Sequence, residues 1–160
     1  MLRCAMLLCL LFVSGAAGYA QSPAQAPLLT TCPWLTQGSA VRMLGGDVSV
    51  AVHVSDAGEG SCNFVRKQEP GAFLKIEVSK AALPSCGADS TKLRGIGNEA
   101  MRCRLAGSSG KDAEMISSRV RDLHFTLTLA LQGKDSAASS ADVQQDAFER
   151  IAEQVAGNLF

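Results

Sequence analysis

His124-Phe125-Thr126-Leu127-Thr128-Leu129-Ala130-Leu131 alternates along its whole length. In an extended chain successive side chains point to opposite faces. Phe125, Leu127, Leu129 and Leu131 therefore share one face, and His124, Thr126, Thr128 and Ala130 the other. A strand with one apolar face needs a partner surface to cover it. Two other stretches supply one. Val48, Val50, Val52 and Val54 alternate with Ser49, Ala51 and His53 in a second strand. Near the carboxyl end Val143, Ala147, Ile151 and Val155 recur every four residues, joined by Phe148, Ala152 and Leu159. That spacing predicts an amphipathic helix of about four to five turns, with Gln144, Gln145, Glu149, Arg150 and Glu153 outward. Ser139 or Ser140 is placed to cap it and Gly157 to end it.

Between these landmarks the chain reads as short strands and turns. Thr36 caps a short helix through Ala40, Val41 and Leu44, stopped by Gly45-Gly46, and Trp34 packs near its start. Asp56–Gly60 turns Val48–Val54 into a return strand, Cys62–Lys67, with Phe64 on the side of Cys62. A third strand puts Ala72, Leu74, Ile76 and Val78 inward and Lys75 and Glu77 outward. Ser79–Leu93, broken by Pro84, Cys86 and Gly87, reads as a loop. A fourth strand, Ala100–Leu105, places Met101, Cys103 and Leu105 inward and Arg102 and Arg104 outward. Ala113–Arg121 is a fifth strand, and Asp122 marks a tight reversal into His124–Leu131. The expected fold is α+β: an antiparallel sheet of about six strands in two three-stranded meanders, with both helices packed on it.

The chain has 160 residues. Residues 1–20 carry a basic start at Arg3, an apolar run at Cys4–Val13 and small residues at Gly18 and Ala20, the pattern of a signal peptide cut before Gln21. The run is short for a membrane span, which needs about 20 residues, and no later stretch is apolar enough to be one. Residues 21–31 read as a flexible leader and 32–160 as a single domain. Fifteen basic and fifteen acidic residues balance to zero, which disfavours nucleic acid as a partner. Cys32, Cys62, Cys86 and Cys103 form an even set in an exported chain and so read as two disulfides, with three connectivities open. Cys32–Cys62 and Cys86–Cys103 are favoured because each joins neighbouring segments. Each would contribute roughly 3 kcal/mol in the chain-entropy account. The expected locations are the periplasm or the cell exterior.

Cys32-Pro33-Trp34-Leu35-Thr36, Leu44-Gly45-Gly46, Gly60-Ser61-Cys62-Asn63-Phe64, Gly95-Ile96-Gly97-Asn98-Glu99-Ala100 and the alanine-rich closing helix resemble a family of bacterial exported domains of unknown function. Many of those are actinobacterial lipoproteins related to sensor-like extracellular modules. The resemblance implies an antiparallel sheet packed by helices and a Cys32–Cys62 disulfide, and it does not imply an enzyme. This chain lacks the lipoprotein cysteine at the signal cleavage site.

Chemistry is sparsely marked. His53 and His124 fall opposite the apolar faces of their strands. On neighbouring strands they could bind a metal or move protons, but no acidic residue accompanies either within its strand. No Gly-x-Ser-x-Gly elbow occurs, Ser108-Ser109 has turn composition, and Asp56 and Glu59 share one turn. Gly95-x-Gly97 beside Arg94 reads as a tight turn rather than a phosphate cradle. Arg102, Arg104, Arg119 and Arg121 lie on the two strands expected to pair, where a stripe of guanidinium groups would grip carboxylates or phosphates. The expected function is a non-enzymatic module that binds an envelope protein or an anionic cell-wall ligand, with no cofactor. The alternative is a small secreted hydrolase using His53 or His124.

Overall fold

The computed structural model describes residues 30–87, 90–106, 112–131 and 141–160. The signal segment 1–20, nearly all of the leader 21–31, the Ser108-Ser109 turn and the Ser139/Ser140 cap lie outside them. The elements in chain order are α1 (Gln37–Leu44), β1 (Val48–Val54), β2 (Gly60–Arg66), β3 (Phe73–Ser79), β4 (Thr91–Leu93), β5 (Glu99–Ala106), β6 (Asp112–Val120), β7 (Leu123–Ala130) and α2 (Ala141–Asn158). The strands form one open sheet in the order β1-β2-β3-β7-β6-β5-β4, antiparallel throughout. This is an α+β architecture. Two meanders, β1–β3 and β4–β7, meet where β7 lies against β3, Leu74 opposite Leu129 and Ile76 opposite Leu127.

The register fixes the faces. Phe125, Leu127 and Leu129 of β7 line up with Val78, Ile76 and Leu74 of β3, and these with Cys62 and Phe64 of β2 and the valines of β1. On the other side they meet Ser118 and Ile116 of β6. Both helices pack on this face. α1 starts as its sequence specifies: the Thr36 hydroxyl accepts from the Ser39 N–H, and Gly45, at φ 68°, caps the end in the left-handed region. α1 buries Ala40 and Leu44; α2 buries Phe148, Ile151, Ala152, Val155 and Ala156, the i, i+3, i+4 stripe of a helix lying on a sheet. Trp34 and Leu35 fill the space before α1. The Asn158 side chain donates to the Trp34 carbonyl at 2.9 Å, tying the end of α2 to the start of the domain.

The opposite face is bare over β1 but covered over the other half of the sheet. Met115, Thr126 and Ala130 are buried there, and the Cys86–Cys103 disulfide anchors residues 82–86 to β5 on that side. The other disulfide, Cys32–Cys62, ties the start of the domain to β2. Both favoured pairings are present.

Four expectations require correction. The sheet has seven strands, because Thr91–Leu93, within a stretch expected to be loop, pairs with Ala100–Arg102; three residues are too few for alternation to register. β5 has the opposite parity. Ala100 lies opposite Ser118 and is buried, which turns Arg102 and Arg104 to the helix side and leaves Met101 36% exposed on the other. Val143 is 57% exposed, since it lies more than a turn before Phe148, the first fully buried residue of α2. Gly157 does not end α2, which runs through Asn158.

Phe148→Ala should lower the unfolding free energy by about 3–5 kcal/mol in chemical denaturation. Val143→Ala, on the same helix but exposed, should change it by less than about 0.5 kcal/mol.

Candidate functional site

The four arginines singled out in the sequence do not form a stripe. Arg102, on the helix side, pairs with Glu149 of α2 at 2.7 Å, and Glu149 also accepts from Gln145 at 3.3 Å. The pair is mostly buried, where salt screens it weakly, and it clamps α2 to β5. Arg104 stands opposite Glu114 at the exposed end of the same face. Arg119 lies on the other face, opposite Glu99 and bonded to it at 2.9 Å. Arg121 sits in the two-residue reversal between β6 and β7 at φ 56°. Its N–H donates to Asn98 Oδ1 at 3.1 Å, and its guanidinium stands 5.5 Å from the centre of the Phe160 ring. Alternation assigned all four to strands; Arg121 instead falls one residue past the end of β6, and for the other three alternation could not say which face each strand presents.

The histidines are also separated. Both occupy the face away from the helices, but β2 and β3 stand between β1 and β7. Three inter-strand spacings of about 4.8 Å keep the imidazoles beyond the reach of one metal ion. Among the described residues no group of three or more His, Cys, Asp and Glu is placed to hold a metal.

His124 opens onto a cleft of about 260 Å³ beneath residues 82–85, with Ser117, Arg119, Glu99 and Met101 around it. The register sets Ser79, His124, Arg119 and Glu99 in one row across β3, β7, β6 and β5. A general base must reach its nucleophile within a hydrogen bond. Among the described residues no hydrogen bond joins His124 to a serine or a carboxylate. Gly97, at φ 59°, packs its α-carbon against β6, where an added Cβ would stand 2.5 Å from the Arg119 carbonyl oxygen. The neighbouring Asn98 N–H is already spent on that oxygen at 2.7 Å. Gly95-x-Gly97 is thus a turn that aims β5.

Another concavity lies between the helices, and nothing in the strand pattern pointed to it. Ser39, Arg42 and Met43 of α1 face Ala147, Arg150, Ile151 and Gln154 of α2 around a groove of about 300 Å³. On each helix the three- and four-residue steps between these positions set them on one flank. Ser39 donates to Gln154 Oε1 at 3.0 Å and accepts from Arg42 Nη2 at 3.2 Å, which locks the helices together at one end of the groove. Met43, Ala147 and Ile151 give the groove an apolar lining, and Arg42 and Arg150 line it as well. Neither arginine makes an ion pair among the described residues, whereas Arg66, Lys75, Arg102 and Arg119 each have a carboxylate. A sequence signal did exist: Arg42 and Arg150 sit beside apolar stripes, where a helix arginine borders whatever the stripe covers.

Neither the scan against protein-family models nor the searches of curated proteins and solved structures found a match. The likeness to exported lipoprotein-type domains therefore rests on its short motifs alone. No helix among the described residues is long and apolar enough to cross a membrane.

One carboxylate is shifted by its surroundings. Glu59 accepts from the Lys80 N–H at 2.7 Å and the Ser79 hydroxyl at 2.9 Å. These two bonds, with the charge of Lys80, hold its pKa below the ordinary carboxylate value of 4.5. A depressed carboxylate contributes stability above its unfolded pKa and loses it as pH falls through the folded one. Glu59→Gln should therefore melt lower than the parent near neutrality, and the gap should close as pH drops below about 4.5 in a thermal melt series from about pH 7 to about pH 3.

Proposed function

We propose that this chain is an exported, non-enzymatic binding module whose ligand is a small amphipathic anion held between α1 and α2. The observation that carries this reading is the pair of guanidinium groups, Arg42 and Arg150, that have no carboxylate partner among the described residues and share a groove with the apolar Met43, Ala147 and Ile151. Guanidinium groups bind carboxylate and phosphate oxygens through paired N–H donors, and an apolar lining takes the hydrocarbon portion of the same molecule. The volume of about 300 Å³ is at the lower end for small-molecule sites. Two disulfides in a chain with a signal-like start support an oxidising compartment. The Ser39–Gln154 bond supports a groove that exists before the ligand arrives, which reduces the ordering cost of binding.

The hydrolase alternative draws on His124 and Ser117 sharing a cleft. It has weaker support, since Arg119 beside them is already occupied by Glu99 and among the described residues no bond aligns the imidazole on a serine.

A thermal-shift series with straight-chain carboxylates and alkyl phosphates tests the binding reading. A ligand at about 100 times its dissociation constant adds roughly 2.7 kcal/mol to stability and raises the melting midpoint. The shift should disappear in Arg42→Ala/Arg150→Ala and persist in Arg119→Ala. Persistence in the first variant, or loss only in the second, would move the site to the His124 cleft.

A further inference from the structure

The two edges of the sheet are unlike. β4 offers three residues and carries the exposed Lys92 at its centre. Short length and lysine are the usual devices that stop an edge from pairing with another chain. β1 offers seven residues, Val48-Ser49-Val50-Ala51-Val52-His53-Val54, with no lysine, arginine, acid or proline among them.

The ladder shows which backbone groups this edge leaves open. The Lys67 N–H donates to the Asp47 carbonyl at 2.9 Å, and the Ser55 N–H donates to the Glu59 carbonyl at 2.8 Å. Both pairs continue the register in which Val48 faces Arg66 and Val54 faces Gly60. In an antiparallel ladder, hydrogen-bonded and non-hydrogen-bonded pairs alternate. Ser49, Ala51 and His53 therefore bond inward to β2, and Val48, Val50, Val52 and Val54 aim their N–H and C=O groups away from the sheet. Gln37 Nε2 covers the Val48 carbonyl at 3.3 Å. Val50, Val52 and Val54 have no such cover among the described residues, and the side chains of Val50 and Val54 are only half-buried at the margin of the core.

The strand is also its own complement. Laid antiparallel on a second copy about a two-fold axis at Ala51, it sets Val50 against Val52 and Val48 against Val54. These are the residues whose backbone groups point outward, so Val50–Val52 is a hydrogen-bonded pair open on both strands, and Val48–Val54 becomes one when Gln37 Nε2 yields the Val48 carbonyl. The valines then meet valines on the helix side and extend the core across the seam. On the other face Ser49 meets His53, Ala51 meets Ala51, and no like charges are brought together.

We infer that β1 is a homodimerisation edge, joining two copies into one continuous sheet through a two-fold axis at Ala51. The occupant is a second copy of this chain, because about Ala51 the same sequence run in reverse sets all four outward-bonding valines against valines and brings no charged residue into the seam. The inference is independent of the groove between the helices.

Cysteine substitution reads the register directly. At a non-hydrogen-bonded antiparallel pair the α-carbons are about 4.5 Å apart, within the range a disulfide spans. Ala51→Cys should thus give a covalent dimer on mild oxidation. Ser49→Cys, equally exposed but about 13 Å from its own symmetry mate, should not. Sedimentation equilibrium of the parent should show a dimer. Ala51→Lys, which sets two ammonium groups face to face on the axis, should weaken it severalfold with the melting temperature of the monomer unchanged. A parent that stays monomeric up to about 1 mM overturns the inference. So does a dimer indifferent to Ala51→Lys, or crosslinking of Ser49→Cys as fast as Ala51→Cys. A monomer that instead takes up an extended valine-rich peptide along β1 would make the edge a receptor for another chain and overturn the second-copy assignment.

Discussion

The pairing of β3 with β7 is the contact on which the rest depends. It joins Phe73–Ser79 to His124–Ala130 and makes one sheet of two meanders that would otherwise be separate. A meander of three strands has a single apolar face and little to cover it. Joined, the two faces become one floor on which α1 and α2 rest, and Phe64, Leu74, Ile76, Ile116, Phe125 and Leu127 become a continuous buried layer. The groove between the helices is a product of that floor. α1 stands over the first meander and α2 reaches across to β5 through Arg102 and Glu149, so the spacing between Arg42 and Arg150 follows from where the two halves of the sheet meet.

Much of this was legible in the chain because the physics there was local. Alternation at Val48–Val54 and His124–Leu131, the Thr36 cap, the Gly45 stop and the spacing of Phe148, Ile151, Ala152 and Val155 each require only a few neighbouring residues to agree. The favoured disulfide pairings followed from the same economy of short connections. Expectation failed where local pattern and tertiary context parted. β5 is the clear case. Met101-Arg102-Cys103-Arg104-Leu105 alternates well, and the natural reading puts arginine in water. One face of β5 is instead taken up by the Cys86–Cys103 segment, so the cysteine belongs to that covering and the arginine turns beneath α2. Parity along a strand is legible from sequence; which parity faces the helices depends on elements far away.

The candidate site was less legible for a related reason. The sequence suggested that unpaired guanidinium groups would carry binding, and it placed them on paired strands. The fold gives Arg102 and Arg119 carboxylates, which arrive from α2 and from the neighbouring strand β5, and among the described residues leaves Arg42 and Arg150 without them. Charge partners across a sheet or between helices depend on register and packing, and neither is written in a stretch of ten residues. The histidines illustrate the same limit. Their faces were assigned from alternation, but their distance was set by the order of strands between them.

The Cys86–Cys103 disulfide holds the covering segment against β5, and it also changes the chain's topology as a polymer. The seam between β3 and β7 closes a long loop, running from Ser79 to Leu123, and that closure must occur before the seam returns any burial. Loop closure costs entropy in proportion to the logarithm of the loop's length. By bridging a separation of 17 residues inside that loop, the disulfide gives the oxidised chain a shorter path between the two strands. The saving is only roughly a few tenths of a kcal/mol, but it falls on the most non-local pairing in the sheet, the kind of contact that sets the pace of folding. Oxidation thus acts on the assembly of the central seam from beneath the covering segment on the far face of the sheet.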